Sequence, residues 1–334
     1  MNRMEILAIG AAEMERHDCL PAIIAALHDA FAELHAGGVL MPPRTILAPG
    51  DPGDGRQLVV MPAALPRQQA AAVKLTTLTP ANPARGLPLI HGLLMLADLA
   101  TGQVVALMDG AEVTALRTGA GSGLATRLLA RDDARALAVI GAGVQARTQL
   151  AAVAAVRPID TVLIHSRTPG HAETFAAWAR SRHGTLRVRV CATVREAVEA
   201  ADVVCTATAT GSAEPLVRSE WIRPGTHLNA VGGVDENACE LAPALLATAR
   251  VVVEDRRAAL DEAGEVRAVV AANALAPGDV VELGAVVAGA APGRRSPEEV
   301  TVYRSVGIAL QDVAAARAIF QRVRAAGGGT TVTL

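Results

Sequence analysis

The segment Gly141-Ala142-Gly143-Val144-Gln145-Ala146 follows the apolar run 137–140 without a break and leads into a stretch with helical spacing. In a strand, turn and helix setting, this GxGxxA pattern suits a pyrophosphate. Gly141 permits the tight turn, Gly143 lets the backbone approach the anion, and Ala146 lets the helix pack closely on the strand. The first-turn N–H groups, those of Val144 and Gln145 among them, would face the negative charge. The expected ligand is a dinucleotide.

The next apolar strand should show which one. It ends in His165-Ser166-Arg167-Thr168, where a carboxylate would accept hydrogen bonds from the ribose hydroxyls of NAD and repel an added phosphate. A guanidinium flanked by the hydroxyls of Ser166 and Thr168 suits a 2′-phosphate instead. NADP(H) is therefore expected in preference, with NAD(H) possible. The competing reading of Arg167 is a solvated loop charge.

Three cations interrupt stretches that otherwise read as buried or tightly turned: Arg44 in MPPRT, Lys74 in AAVKLTTL and Arg117 in VTALRTGAGSG. An isolated cation in an apolar segment needs an anion, and the carboxylate of a small 2-oxo or 2-imino acid could serve all three. Each alone could equally be a snorkelling surface side chain.

These residues need elements to carry them. Apolar spacing and Pro21 predict a helix over 20–36, stopped by Gly37 and Gly38. From Arg44 to about Asp109 the runs are short and divided by Gly, Pro and Asn, as in an antiparallel sheet. Helical spacing returns over 111–130. Strands are then expected at 136–140, 161–166, 186–191, 202–207, 226–231 and 250–254 with helices between most of them, the pattern of a doubly wound parallel sheet. After Pro297 a short TVYRS run precedes a long helix over about 307–326, and the glycines at 327–329 read as a flexible end.

A chain of 334 residues exceeds what one core usually organises. Its net charge of -2, with three Phe, two Trp and one Tyr, offers neither a field nor stacking platforms for nucleic acid. Cys19, Cys191, Cys205 and Cys239 lack metal-type spacing and read as buried thiols, so no metal is expected. Glu5, Glu13, Glu15 and Asp18 are unlike a signal peptide, and no apolar run has the character of a membrane span. The expectation is a cytoplasmic protein that binds neither membrane nor nucleic acid.

Six stretches, PPRT at 42–45, VKLTTL at 73–78, VVALMDGAEVTALRTGAGSGLAT at 104–126, VIGAGVQA at 139–146, SRT at 166–168 and RPGTHLNAVGG at 223–233, resemble the ornithine cyclodeaminase and mu-crystallin family in order and spacing. The resemblance implies a homodimer. It implies a substrate and dimerisation domain from 1–118 with 319–334, and a Rossmann domain over 119–318. It also implies that Arg44, Lys74 and Arg117 hold a substrate carboxylate, with Lys74 in the catalytic set, and that Thr118 and Gly119 lie near the cofactor.

Cyclodeaminases of that family place a catalytic Asp directly after a diglycine. Here Gly232-Gly233 is followed by Val234, with Asp235 one residue later, where a strand-end offset can reverse the direction of a side chain. Asp235 stays a catalytic candidate beside its reading, with Glu236, as a helix N-terminal acid pair ahead of residues 240–249. The departure favours an NAD(P)H-dependent reductase of small cyclic imino acids over an ornithine or lysine cyclodeaminase with bound NAD. An alanine-dehydrogenase-like enzyme and an NADPH-gated ligand-binding protein are further alternatives. His91 and His227, lone histidines in apolar runs, are expected to be satisfied core residues.

Overall fold

The computed structural model describes residues 4–51, 53–208, 212–233 and 239–334. In chain order the first elements are β1 (Glu5–Ile9), α1 (Ala11–Arg16), α2 (Leu20–His35), β2 (Thr45–Leu47), β3 (Gln57–Leu65), β4 (Ala70–Leu78), β5 (Ile90–Asp98), β6 (Val104–Asp109) and α3 (Gly110–Leu129). Next come β7 (Ala136–Ile140), α4 (Val144–Ala154), β8 (Thr161–His165), α5 (Pro169–Arg182), β9 (Arg187–Val190), α6 (Val194–Glu199), β10 (Val203–Thr206) and β11 (His227–Ala230). The last are α7 (Pro243–Leu246), β12 (Arg250–Val253), α8 (Arg256–Glu262), α9 (Gly264–Ala271), β13 (Val281–Glu282), α10 (Leu283–Val287), β14 (Thr301–Arg304), α11 (Ala309–Ala325) and β15 (Thr330–Thr333). None of the helices among the described residues is long and apolar enough to cross a membrane.

Contacts divide the chain into two compact units, Met1–Arg117 with Ile308–Leu334, and Thr118–Gly307. The sequence reading draws these boundaries at 118/119 and 318/319. The second difference has a physical reason: α11 is one continuous helix, and Gly307, at φ 75°, turns the chain just before it.

The first unit holds a seven-stranded sheet in the order β15-β1-β6-β5-β4-β3-β2, antiparallel except where β1 runs parallel to β6. Register places Met61, Lys74 and Leu94 on one face, with Ala63, Ala72 and Leu96 beside them, and all six are buried. Helix α11 covers that face and packs in turn on α2. Pro21 lies in the first turn of α2, and its Ile23, Ile24, Leu27 and Phe31 recur at the spacing of a single buried stripe. The other face carries Leu47, Leu75 and Leu93, which stay 41–52% exposed. The glycines at 327–329 do not form a loose end. Positive φ at Gly327 and Gly329 returns the chain so that β15 pairs antiparallel with β1 and covers its edge.

The second unit is an eight-stranded, wholly parallel sheet in the order β13-β12-β14-β11-β10-β7-β8-β9. Apolar layers cover both faces: Leu150, Val153, Phe175 and Ala176 of α4 and α5 on one, and Ala197, Leu246, Ala259 and Val266 of α6 to α9 on the other. That is the expected doubly wound Rossmann-type sheet, joined in one chain to an α+β unit. All six expected strands are present within a residue or two at each end, and β13 and β14 join them. The TVYRS run forms β14, which is buried between β11 and β12. Its Thr, Tyr and Arg hide it from an apolar pattern. The acid-pair reading of Asp235 and Glu236 assumed a helix over 240–249; the helix there is only α7.

Candidate active site

Lys74 faces the covered side of the first sheet because β4 alternates Ala70, Ala72 and Lys74 inward. Its Nζ lies 2.9 Å from both Oδ1 and Oδ2 of Asp312, in the first turn of α11. Arg117 reaches the same group from α3, a helix whose start is fixed by Asp109 Oδ1 accepting from the N–H groups of Ala111 and Glu112 at 2.9 and 3.0 Å. Arg117 Nε is 3.2 Å from Asp312 Oδ1, and Nη1 donates to Gln311 Oε1 at 3.1 Å. Gln311 Oε1 also accepts from the Ile308 N–H at 3.0 Å.

Lys74, Arg117 and Asp312 are all buried, so two cations share one carboxylate in a dry place. Burial pushes the Lys74 ammonium down from its ordinary 10.5 to about 8. Asp312 opposes that shift, while the charges of Arg117 and half-buried Arg44 add to it. Both other cations expected from the sequence thus act on Lys74. The expectation of a substrate as their counter-charge is corrected in part, because Asp312 already partners Lys74 and Arg117. The sequence reading does not single out Asp312 and Gln311; the available signal is an adjacent amide and acid at the start of an Ala-rich helix.

In the second unit β7 runs into Gly141 at φ 117°, where an added Cβ would sit 2.4 Å from the Ala207 carbonyl oxygen. Glycine is required there. Gly143 caps α4, and an added Cβ at that position would meet nothing within 4 Å. Helix α4 has no side-chain cap among the described residues and no acid in its first turn, which leaves its leading N–H groups suited to an anion. Val144 is 65% exposed, and Gln145 is half-buried. These features fit a dinucleotide pyrophosphate.

Gly141 N–H donates to His165 O at 2.8 Å, which sets the Ser166-Arg167-Thr168 segment directly beside the glycine turn. Ser166 is half-buried, Arg167 and Thr168 are exposed, and Thr168 caps α5. Thr118 is buried on α3, and an added Cβ on neighbouring Gly119 would lie 2.7 Å from Thr148 Cβ of α4, so that glycine permits close helix packing. Asp235 lies outside the described residues. His227 is a buried core residue, bonded to Thr301 Oγ1 at 2.9 Å and Asn229 Oδ1 at 3.2 Å, and burial lowers its pKa to about 3. His91 is exposed near the start of β5, which corrects its reading as a core residue.

A doubly wound parallel sheet with this glycine turn at the end of a central strand defines the dinucleotide-binding class of α/β proteins. The chain belongs to the ornithine cyclodeaminase/mu-crystallin family, whose model matches residues 5–327. It is 35% identical to a Δ1-pyrroline-2-carboxylate reductase of Bacillus cereus (strain ZK / E33L) over 329 residues, covering 98% of this chain and 99% of that protein. The structure of the Thermococcus litoralis Δ1-pyrroline-2-carboxylate reductase in complex with NADH and L-proline is similar at a TM-score of 0.91 and 36% identity, over 98% of this chain and 100% of that one. An archaeal alanine dehydrogenase dimer with bound NAD is similar at a TM-score of 0.88 and 33% identity, over 98% of this chain and 99% of that one.

If Lys74 binds a carboxylate, its lowered pKa sets the pH dependence of that binding. Below about pH 8 the ammonium is charged and affinity is flat; above it the proton is lost and affinity falls, towards tenfold per pH unit. Competitive inhibition by cyclopentanecarboxylate, which does not titrate in this range, should show that break in wild type and lose it in Lys74→Met.

Proposed function

We propose that the chain is an NAD(P)H-dependent reductase of small cyclic imino acids, of the Δ1-pyrroline-2-carboxylate and Δ1-piperideine-2-carboxylate type, yielding cyclic L-amino acids. The observation that carries this reading is the buried pair of cations, Lys74 and Arg117, on the single carboxylate of Asp312. That positive surplus suits a small organic anion, and the similar reductases act on such anions.

Bound NAD(P)H supplies the hydride from C4 of its ring. Arg44, Lys74 and Arg117 bind and orient the carboxylate, which is catalysis chiefly by positioning. A protonated imine is already electrophilic and asks for little acid chemistry. Lys74, charged below about pH 8, holds its proton against Asp312. Val234 stands where a cyclodeaminase carries its base, which a reduction can do without. Asp235 remains a catalytic candidate.

For the cofactor, Gly141, Gly143, Val144 and Gln145 take the pyrophosphate, Thr118 lies near it, and Ser166, Arg167 and Thr168 take a 2′-phosphate, so NADPH is preferred over NADH. The open apolar face of the first sheet, with Leu47, Leu75 and Leu93, is covered by a second copy of this chain. The dimeric state of the similar alanine dehydrogenase supports that occupant. The compartment is the cytoplasm, in keeping with four buried free thiols, Cys19, Cys191, Cys205 and Cys239.

Oxidation of NADPH and NADH followed at 340 nm against the pyrroline and piperideine acids, and against pyruvate with ammonia, tests the reading. Turnover should appear with a cyclic imine. Arg117→Ala should raise the KM for that imine by ~10- to 150-fold, the loss of a charged hydrogen bond, while the NADPH Kd stays within about threefold. Equal losses of both would contradict the assignment of Arg117.

Arg167→Ala should weaken NADPH by ~10-fold or more and leave NADH nearly unchanged; an equal effect on the two cofactors would remove the basis for the preference. Light scattering should give a dimer for wild type and a monomer for Leu75→Lys or Leu93→Lys. If both variants remain dimeric, another surface forms the interface.

A further inference from the structure

The diglycine after β11 is held by charged side chains that the proposed chemistry leaves unused. Glu240 is fully buried, and its carboxylate accepts from Thr206 Oγ1 and Thr208 Oγ1, each at 2.8 Å, and from Gly232 N–H at 2.9 Å. Thr206 closes β10 and Thr208 follows it, so one side chain ties together the carboxyl ends of two neighbouring strands. Arg304, the last residue of β14, works on the next peptide group. Its Nη2 donates to Gly233 O at 2.7 Å, and its Nη1 to Ser305 O at 2.7 Å and Ala230 O at 3.4 Å. Its Nε pairs with Glu265 Oε1 of α9 at 2.9 Å, and both side chains are wholly buried.

Glycine is needed at both positions of the turn. Gly233 has φ 59°, and a Cβ on Gly232 would lie 2.1 Å from Thr208 O and 2.6 Å from Glu240 Oε1. Three charged side chains in a dry interior are a costly way to gain stability, since well-packed apolar residues often serve as well. What charges do provide is direction: at this turn the Glu240 carboxylate fixes the Gly232 N–H and the Arg304 guanidinium fixes the Gly233 C=O. The turn also stands at the carboxyl edge of a parallel sheet, where open α/β sheets bind their ligands.

We propose that Arg304, backed by Glu265 and matched across the turn by Glu240, is a positioning residue for hydride transfer, acting by locking Gly232-Gly233 in place. The inference rests on the reductase reading in taking this edge as the place of the reduced ring. Arg304 is wholly buried and spends its contacts on backbone oxygens and Glu265, so its role is one of positioning.

The test uses the full-length protein with Arg304→Lys, which keeps the charge but loses the fork, and Glu265→Gln, which keeps the shape but loses the charge. Hydrogen exchange over peptides spanning 228–233 should quicken by ~10-fold or more in each. The kcat should fall by ~10- to 100-fold, the scale of a small misplacement, with the Kd of NADH or NADPH from fluorescence titration within about threefold of wild type. The primary deuterium isotope effect on kcat should rise as hydride transfer becomes limiting. Unchanged exchange overturns the clamp, as does a kcat loss matched by an equal loss of cofactor affinity. Should Arg304→Lys fail to fold, Glu265→Gln and Glu240→Gln decide by the same readings. If wild type reduces no imine at all, the reductase reading fails, and exchange with cofactor titration still judges the clamp.

Discussion

A buried carboxylate that serves two cations is the constraint on which the first unit turns. Asp312 arrives on α11, Lys74 on β4 and Arg117 on α3, so the three meet only when a C-terminal helix lies across a sheet built mostly by the first third of the chain. Removing one partner from such a cluster costs about 3–5 kcal/mol, because the remaining charge stays in the dry interior. The cluster therefore ties closure of this unit to the state of its charge. Burial above all, with the charges of Arg117 and Arg44 behind it, keeps the Lys74 pKa lowered to about 8 even with Asp312 at 2.9 Å.

Backbone geometry plays the corresponding part in the second unit. At Gly141 the chain passes so close to Ala207 that no side chain fits, and at Gly143 the space beside the backbone is open. The first glycine answers to the protein's own packing and the second leaves room for something else. A helix that starts without a cap or an acid adds directed N–H groups. The second unit thus offers directed peptide groups at this turn, whereas the first unit gathers ionised side chains.

The glycine turn was legible in the sequence because its information is local: strand, turn and helix follow within a dozen residues, and register then puts Ser166-Arg167-Thr168 beside it. The parallel sheet was legible where strands were apolar and hidden where they were polar or very short, as in β14 and β13. The positions of Arg44, Lys74 and Arg117 stood out as charges in apolar surroundings, but their counter-ion did not. Asp312 lies 238 residues from Lys74, and no periodicity links a helix acid to a strand lysine across that distance. The tail misled for a similar reason, since glycines at 327–329 suggest looseness until the free edge of β1 gives them a partner.

The second unit also spends its polar interactions unevenly along the strands. At the amino end of the sheet Asp202 accepts from the Arg135 and Ala136 N–H groups at 3.0 Å each, yet it remains partly exposed and is met by Arg131 and Arg223 from the rim. Water reaches the arginine side of that cluster and screens its ion pairs. At the carboxyl end the carboxylates are wholly buried: Glu240 holds Gly232, and Glu254 accepts from Ser305 Oγ and from the N–H groups of Val306 and Gly307. Both bind loops that leave strand ends, one after β11 and one after β14. Dry, directional carboxylates at one edge fix the backbone at Gly232, Val306 and Gly307, and backbone fixed in that way is what precise placement of a ligand at such an edge would require.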